Sequence, residues 1–146
     1  MNVQGAIDIA APPQKVWPFL VEPENILKWC ITYQKFAYTG DKRQGPGTTF
    51  YLEEKADGPL MKLNFTVTEW EENAKFACKM TSGNFVKGYE QKMALEAIPS
   101  GSRFTFAEDI KLPFGVLGSV MGRLARSGSQ AHLRVMLSKL KSLAEE

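Results

Sequence analysis

The chain has 146 residues, of which 44% are hydrophobic, so it is long enough for one domain with a substantial core. Eighteen basic and sixteen acidic residues leave a net charge of +2, which is too small to indicate nucleic-acid binding. The single histidine, His132, excludes a multi-histidine metal site, and Cys30 and Cys78 are interpreted as reduced core thiols. We therefore expect no metal ion and no other cofactor.

The start of the chain lacks a basic segment followed by an apolar run, and no stretch has the length of a membrane span. This pattern predicts a cytoplasmic protein that is not integral to a membrane. The basic residues near the C-terminus fall on the polar side of a helix, where a solvated face is the default interpretation. No nucleic-acid partner is expected, because the aromatic residues alternate into a core.

The first predicted elements are a strand and two short helices. Alternation of apolar and polar residues over Asn2–Ile9 predicts a half-buried strand. Pro13 and Pro23 suit the first turns of the helices, because the N–H that proline lacks would have no partner there. The second helix is predicted to extend to about Trp29.

Six further strands are predicted after these helices. Turn-forming residues, mostly glycine, asparagine and proline, separate them. They are expected at residues 32–39, 48–54, 61–68, 76–80, 85–98 and 103–110.

Residues 113–146 predict one long helix or two abutting ones. On a 3.6-residue period two apolar stripes emerge, rotated by about 140° from each other. The first, predicted to face the sheet, consists of Leu117, Val120, Met121, Leu124, Gly128, Ala131 and Val135. The second consists of Leu133, Met136, Leu137, Leu140 and Leu143. The buried face is therefore expected to change near residues 127–129.

Three segments resemble the START-like, helix-grip superfamily, also called SRPBCC, and within it the polyketide cyclase/dehydrase and lipid-transport group. They are residues 7–20 (IDIAAPPQKVWPFL), the segment ending in Trp29, and the Gly-Pro-Gly-Thr turn at residues 45–48. The resemblance spans nearly the whole chain. It implies a single START-like α+β domain over residues 1–146, in which a seven-stranded curved antiparallel sheet wraps around the C-terminal helix. These motifs are structural, so they identify a fold rather than a reaction.

The resemblance also implies a ligand cavity between the sheet and the helix. Strand alternation and the first helix stripe predict the side chains that line it. They are Phe65, Val67, Phe76, Cys78, Met80, Tyr89, Gln91, Met93, Phe104, Phe106, Glu108, Leu117, Met121 and Leu124. The alternative is that these side chains fill the space as a solid core. The loop after the Gly40–Gly47 turn and residues 113–115 are expected to guard the mouth, because glycine and proline punctuation permits hinge motion.

Glu108 is the one carboxylate in the apolar stripe of the last strand. An ionised carboxylate there is costly to desolvate unless it meets a cation, a hydroxyl or water. If Glu108 stayed unpaired its pKa would rise, which suits proton transfer next to a ketone, with Tyr89 as donor to the developing enolate. The alternative places Glu108 near the rim of the sheet, paired with Arg123 or Arg126. For His132, a partly exposed helical position is favoured over a general base.

Three functional hypotheses follow. The first is binding of a small hydrophobic ligand, such as a lipid, a sterol or an aromatic, polyketide-like molecule, with polar anchoring by Glu108, Gln91 or Tyr89. The second is an enzyme of cyclase or dehydratase type that uses Glu108 for proton transfer. The third is an adaptor whose second helix stripe meets a partner protein or a second copy of this chain, forming a homodimer.

Overall fold

The structure, a computed structural model, describes residues 1–113 and 115–146, and within the last helix all side chains except those of residues 116–119 and 121. The described strands are β1 (Asn2–Ile9), β2 (Tyr33–Thr39), β3 (Thr49–Glu54), β4 (Met61–Glu71), β5 (Lys75–Gly83), β6 (Gly88–Ile98) and β7 (Gly101–Lys111). The described helices are α1 (Pro13–Val16), α2 (Pro18–Val21), α3 (Pro23–Trp29) and α4 (Gly115–Ala144).

The strands form one antiparallel sheet in the order β1-β7-β6-β5-β4-β3-β2. Each strand from β2 to β6 pairs with the next along the chain, and β1 adds to the far side of β7. Together with α4 and the short helices after β1, this arrangement confirms the predicted α+β helix-grip fold. None of the described helices is long and apolar enough to cross a membrane.

The helix predicted after Pro13 is divided into α1 and α2 at Trp17. The Trp17 N–H donates to the carbonyl oxygen of Pro13 at 2.9 Å, and the next residue, Pro18, has no N–H to continue the series. The Leu20 N–H then donates to the carbonyl oxygen of Trp17 at 2.9 Å and begins the second turn. The division therefore has a local cause.

Trp29 at the end of α3 anchors the short helices to the sheet. Its side chain is fully buried, and its indole N–H donates to the carbonyl oxygen of Phe19 at 2.7 Å. Its ring meets Phe104 and Phe106 edge to face, with centroid separations of 5.8 and 6.4 Å. The inner face of β7 is thus covered at this end by aromatic side chains.

The face of α4 that meets the sheet is the second stripe, and the prediction that the first stripe faces it was wrong. Leu124 is 76% exposed, and Val120 and Val135 are exposed as well. The buried apolar side chains of the second stripe are Leu133, Met136, Leu137 and Leu140. This stripe is therefore not free to meet a partner protein, and Leu124 does not bind a ligand in the cavity. Leu117 and Met121 lie outside the residues whose side chains are described.

The error has a physical reason in where the helix touches the sheet. The described side chains of α4 bury mainly in its C-terminal half, against β1. Gly5 permits this close packing, because a Cβ at that position would lie 3.1 Å from Cδ1 of Leu137 and 3.2 Å from Cδ2 of Leu133. The stripe that is apolar in the C-terminal half is consequently the one that is buried.

Because the second stripe of α4 is the buried one, two leucine-to-alanine changes in this helix should lower the free energy of unfolding by different amounts. We expect Leu140→Ala to lower the free energy of unfolding by about 2–5 kcal/mol, because it leaves a cavity at a fully buried site. The matched change Leu124→Ala, on the exposed face of the same helix, should change it by less than about 0.5 kcal/mol. Urea denaturation measures both. A larger loss for Leu124→Ala would contradict this orientation of α4.

Candidate functional site

A cavity of about 270 Å³ lies between the sheet and the middle of α4. Its apolar lining comes from both layers and consists of Met1, Ala56, Met61, Val86, Phe106, Ile110, Leu112, Ala125, Leu133 and Met136, with Gly58. Its polar lining consists of Thr32, Tyr33, Glu54, Asp57, Glu108, Ser129 and His132. The wall is thus mainly apolar, with a limited set of polar groups that a ligand can meet.

Glu54 is the most buried carboxyl group on this wall. It ends β3, where the alternation that buries Phe50 and Leu52 also turns Glu54 inward, and it is 7% exposed. Its Oε2 accepts a hydrogen bond from the Thr32 hydroxyl at 2.9 Å. Its Oε1 has no hydrogen-bond partner among the described residues. One acceptor at the cavity wall is therefore left unsatisfied.

Glu108 lies on β7, paired in register with Gln91 of β6, and its half-buried side chain also lines the cavity. Its Oε2 accepts a hydrogen bond from the Tyr89 hydroxyl at 2.7 Å. None of the ion pairs among the described residues joins it to Arg123 or Arg126, which are exposed. The predicted pairing at the rim is thus wrong, because β7 carries this carboxyl group inward to a phenol.

The two carboxyl groups disfavour each other's ionisation. Burial, with the charge of Glu108 adding to it, raises the pKa of Glu54 to about 8. Burial also raises the pKa of Glu108, while hydrogen bonds from Tyr89 and Gln91 oppose that rise. The pair therefore retains a proton at neutral pH.

Gln91 holds one of these polar groups in place from behind. The Gln91 amide donates to the Tyr33 hydroxyl at 2.8 Å, so Tyr33 presents its own O–H to the cavity.

Cys30 and Cys78 are free and buried, and burial raises the pKa of each thiol. They remain protonated and unreactive in this setting.

The predicted lining residues divide between the cavity wall and the packed core. Phe106 and Glu108 line the cavity. The other described strand residues do not line it. Met80 is half-buried, and the rest are buried in the core: Phe65, Val67, Phe76, Cys78, Tyr89, Gln91, Met93 and Phe104. Phe65 stacks on Phe50 at 4.9 Å and meets Tyr89 edge to face at 5.3 Å. Aromatic rings thus fill the middle of the sheet, and the open space lies toward one end.

Several residues that line the cavity escaped the sequence analysis. Glu54 carries the same signal that identified Glu108, since residues 50, 52 and 54 alternate as Phe, Leu and Glu. Thr32 precedes β2 and Tyr33 begins it, and this strand shows no clear alternation. The position of both side chains therefore depends on the register of β2 with β3.

The mouth of the cavity lies between the β3–β4 loop and α4. Nε2 of His132 is 3.1 Å from Oδ2 of Asp57, and this pair bridges the two elements. A Cβ at Gly128 would lie 2.9 Å from the same Asp57 oxygen, so glycine permits the close approach. Of the predicted segment 113–115, residue 114 lies outside the described residues.

The described residues contain no group of three or more His, Cys, Asp or Glu side chains arranged to hold a metal ion.

Comparison with known proteins yields one family and a common fold. A family model described as polyketide cyclase/dehydrase and lipid transport matches residues 1–145. An uncharacterised protein of Mycobacterium tuberculosis is 25% identical over 111 residues, which cover 75% of this chain and 65% of that relative. This chain thus spans about two thirds of the length of that protein.

Two solved structures share the fold at low sequence identity. The aromatase/cyclase Zhui from Streptomyces sp. R1128 superposes with a TM-score of 0.76 at 13% identity, covering 99% of this chain and 93% of that one. A START superfamily protein from Mycobacterium smegmatis superposes with a TM-score of 0.74 at 17% identity, covering 97% of this chain and 98% of that one. At these identities the likeness establishes the fold alone.

The raised pKa of Glu54 predicts how stability depends on pH. Between about pH 4.5 and pH 8 the folded state binds more protons at this group than the unfolded state, so stability falls as pH rises through that window. We expect the free energy of unfolding of the wild-type protein, measured by urea denaturation, to fall by on the order of a few kcal/mol between about pH 5 and about pH 9. Glu54→Gln should remove this fall. Glu53→Gln, on the opposite face of β3, is the matched control. A wild-type protein whose stability rises through this window would contradict the assignment.

Proposed function

Because this chain belongs to the polyketide cyclase/dehydrase and lipid transport family, we propose that it binds a small, mostly apolar molecule in the cavity between the sheet and α4. The observation that carries this proposal is the cavity itself, which is open where the aromatic core ends and is lined by apolar side chains from both layers. Buried apolar surface supplies the affinity of such sites, and a few polar groups orient the ligand.

The size of the cavity favours a compact ligand. Its volume of about 270 Å³ lies just below the roughly 300–1,000 Å³ that is usual for small-molecule sites. A single aromatic or fused-ring body suits this volume, whereas a sterol or a long-chain lipid requires the mouth at the His132–Asp57 pair to open further. We therefore favour an aromatic, polyketide-like ligand over a sterol or a lipid.

The polar groups lie together at one end of the cavity, so they fix one end of the ligand. Thr32 and Tyr33 lie where β2 begins, next to Glu54 of β3, and Glu108 adds a second carboxyl group from β7. The apolar body of the ligand then lies along Met61, Phe106, Ile110 and Met136, among others. Polar anchoring thus involves Glu54 and Glu108, with Tyr89 and Gln91 supporting the groups that touch the ligand.

Filling the cavity should abolish binding without unfolding the protein. Val86 lines the cavity from the β5–β6 connection, so Val86→Trp replaces ligand volume with an indole. We expect it to weaken the binding of naphthylmethanol, measured by isothermal titration calorimetry, by at least about tenfold. Phe85→Trp, at the exposed neighbouring position, should leave binding unchanged. Equal binding by both variants would contradict this cavity as the site.

A second candidate function, proton transfer of the cyclase or dehydratase type, is favoured by one observation. A carboxyl group with a raised pKa, Glu108, lies at the wall of an apolar cavity, where its ionised form is a stronger base than in water. Tyr89 is not exposed to the cavity and its hydroxyl donates to Glu108, so its role is to position that carboxyl group. The hydroxyl that faces a ligand oxygen is instead that of Tyr33.

This candidate is tested by proton exchange in a bound ketone. The Glu108 carboxylate would remove a proton from the methyl group of acetonaphthone to give the enolate and return solvent deuterium to it. We expect the wild-type protein to accelerate this exchange in deuterated buffer, followed by NMR, and Glu108→Gln to lower the rate by at least about a hundredfold while binding persists. Exchange that is unaffected by Glu108→Gln would rule out Glu108 as the base.

A further inference from the structure

The polar end of the cavity is acidic and lacks a compensating cation. None of the ion pairs formed by the described residues involves Glu54 or Glu108. The two basic groups on lining residues have other partners. The N-terminal ammonium donates to the carbonyl oxygen of Ile110 at 2.7 Å, and His132 meets Asp57. The two carboxyl groups therefore face the cavity without a positive charge to balance them.

Oε1 of Glu54 is the acceptor that a donor on the ligand would satisfy. The residue is 7% exposed and lines the cavity, and this oxygen has no hydrogen-bond partner among the described residues, whereas Oε2 is bonded to Thr32. A buried acceptor without a donor is unfavourable, so a ligand that supplies an N–H or O–H here gains a hydrogen bond. A ligand ending in a carboxylate would instead add a third acidic group.

We propose that the ligand of this cavity carries an ammonium group on its apolar body, and that this group binds between Glu54 and Glu108. The inference deepens the proposed binding function and rests on it. A primary ammonium has three donors and no acceptor, which suits two carboxyl groups of which one has a free oxygen. Its charge also favours the ionised form of both acids and replaces the cation that the protein does not supply.

Binding of the ammonium group displaces the proton that the carboxyl pair holds. In the free protein the pair retains a proton at neutral pH, because burial and mutual repulsion raise both pKa values. The charged ligand enters, the carboxyl O–H ionises, and one proton passes to the solvent. The other titratable groups around Glu54 are Cys30, Tyr33 and Tyr89, whose pKa values are raised by burial, so they stay neutral. His132 lies at the mouth with Asp57.

Three probes with one apolar body and different polar ends test the inference. Isothermal titration calorimetry at neutral pH compares naphthylmethylamine, naphthylmethanol and naphthoate. We expect the amine to bind at least about tenfold more tightly than the alcohol, and naphthoate to bind more weakly than either. In Glu54→Gln and in Glu108→Gln the preference for the amine should fall to about twofold or less. Glu53→Gln should retain it.

A second readout needs no variant. Repeating the amine titration in buffers of different ionisation enthalpy should reveal the release of a measurable fraction of a proton, up to about one, on binding, and the alcohol should release none. Equal affinity for amine and alcohol in the wild-type protein would overturn the inference and leave the proposed function standing. An amine preference that survives both substitutions, or no proton release, would also overturn it. Failure of all three probes to bind would count against the proposed function itself.

Discussion

The packing of the C-terminal half of α4 on β1 is the contact from which the cavity follows. Gly5 lets the helix approach closely there, and Leu140 and Leu137 are buried as a result. The described side chains earlier in the helix are mostly exposed, so the helix crosses the rest of the sheet without filling the space beneath it. The cavity is that unfilled space. Among the described side chains of α4, those that fix the helix to the sheet lie mainly in its C-terminal half.

The side chains at the edges of the cavity decide what it can hold. On one side, stacked rings such as Phe50 and Phe65 close the middle of the sheet. On the other side, Glu54 and Glu108 bring acidic groups into an apolar wall, where each raises the energy of ionising the other. Burying such a pair is unfavourable for folding, which is typical of groups kept for binding or chemistry. The cavity therefore has a mainly apolar wall and one strongly polar end.

Sequence patterns predicted the sheet well and the site only in part. Alternation and turn residues gave the seven strands, and Pro13 and Pro23 the starts of helices, because these signals are local. The same alternation turned Glu108 inward correctly. The buried face of α4 was mispredicted because it depends on where the helix crosses the sheet, which is set by Gly5 and by tertiary packing. The role of Glu54 was missed because the space beside it depends on that crossing as well.

The central claim is that a small molecule occupies this cavity, and the methionine residues offer a direct test. Met61 and Met136 line the cavity, whereas Met93 is buried in the core away from it. NMR spectra of the protein with ¹³C-labelled methionine methyl groups, recorded during titration with naphthylmethylamine, report on all of them at once. The account predicts saturable shifts at Met61 and Met136 and little change at Met93. Shifts confined to other methionines, or absent from every methyl group at saturating ligand, would contradict it.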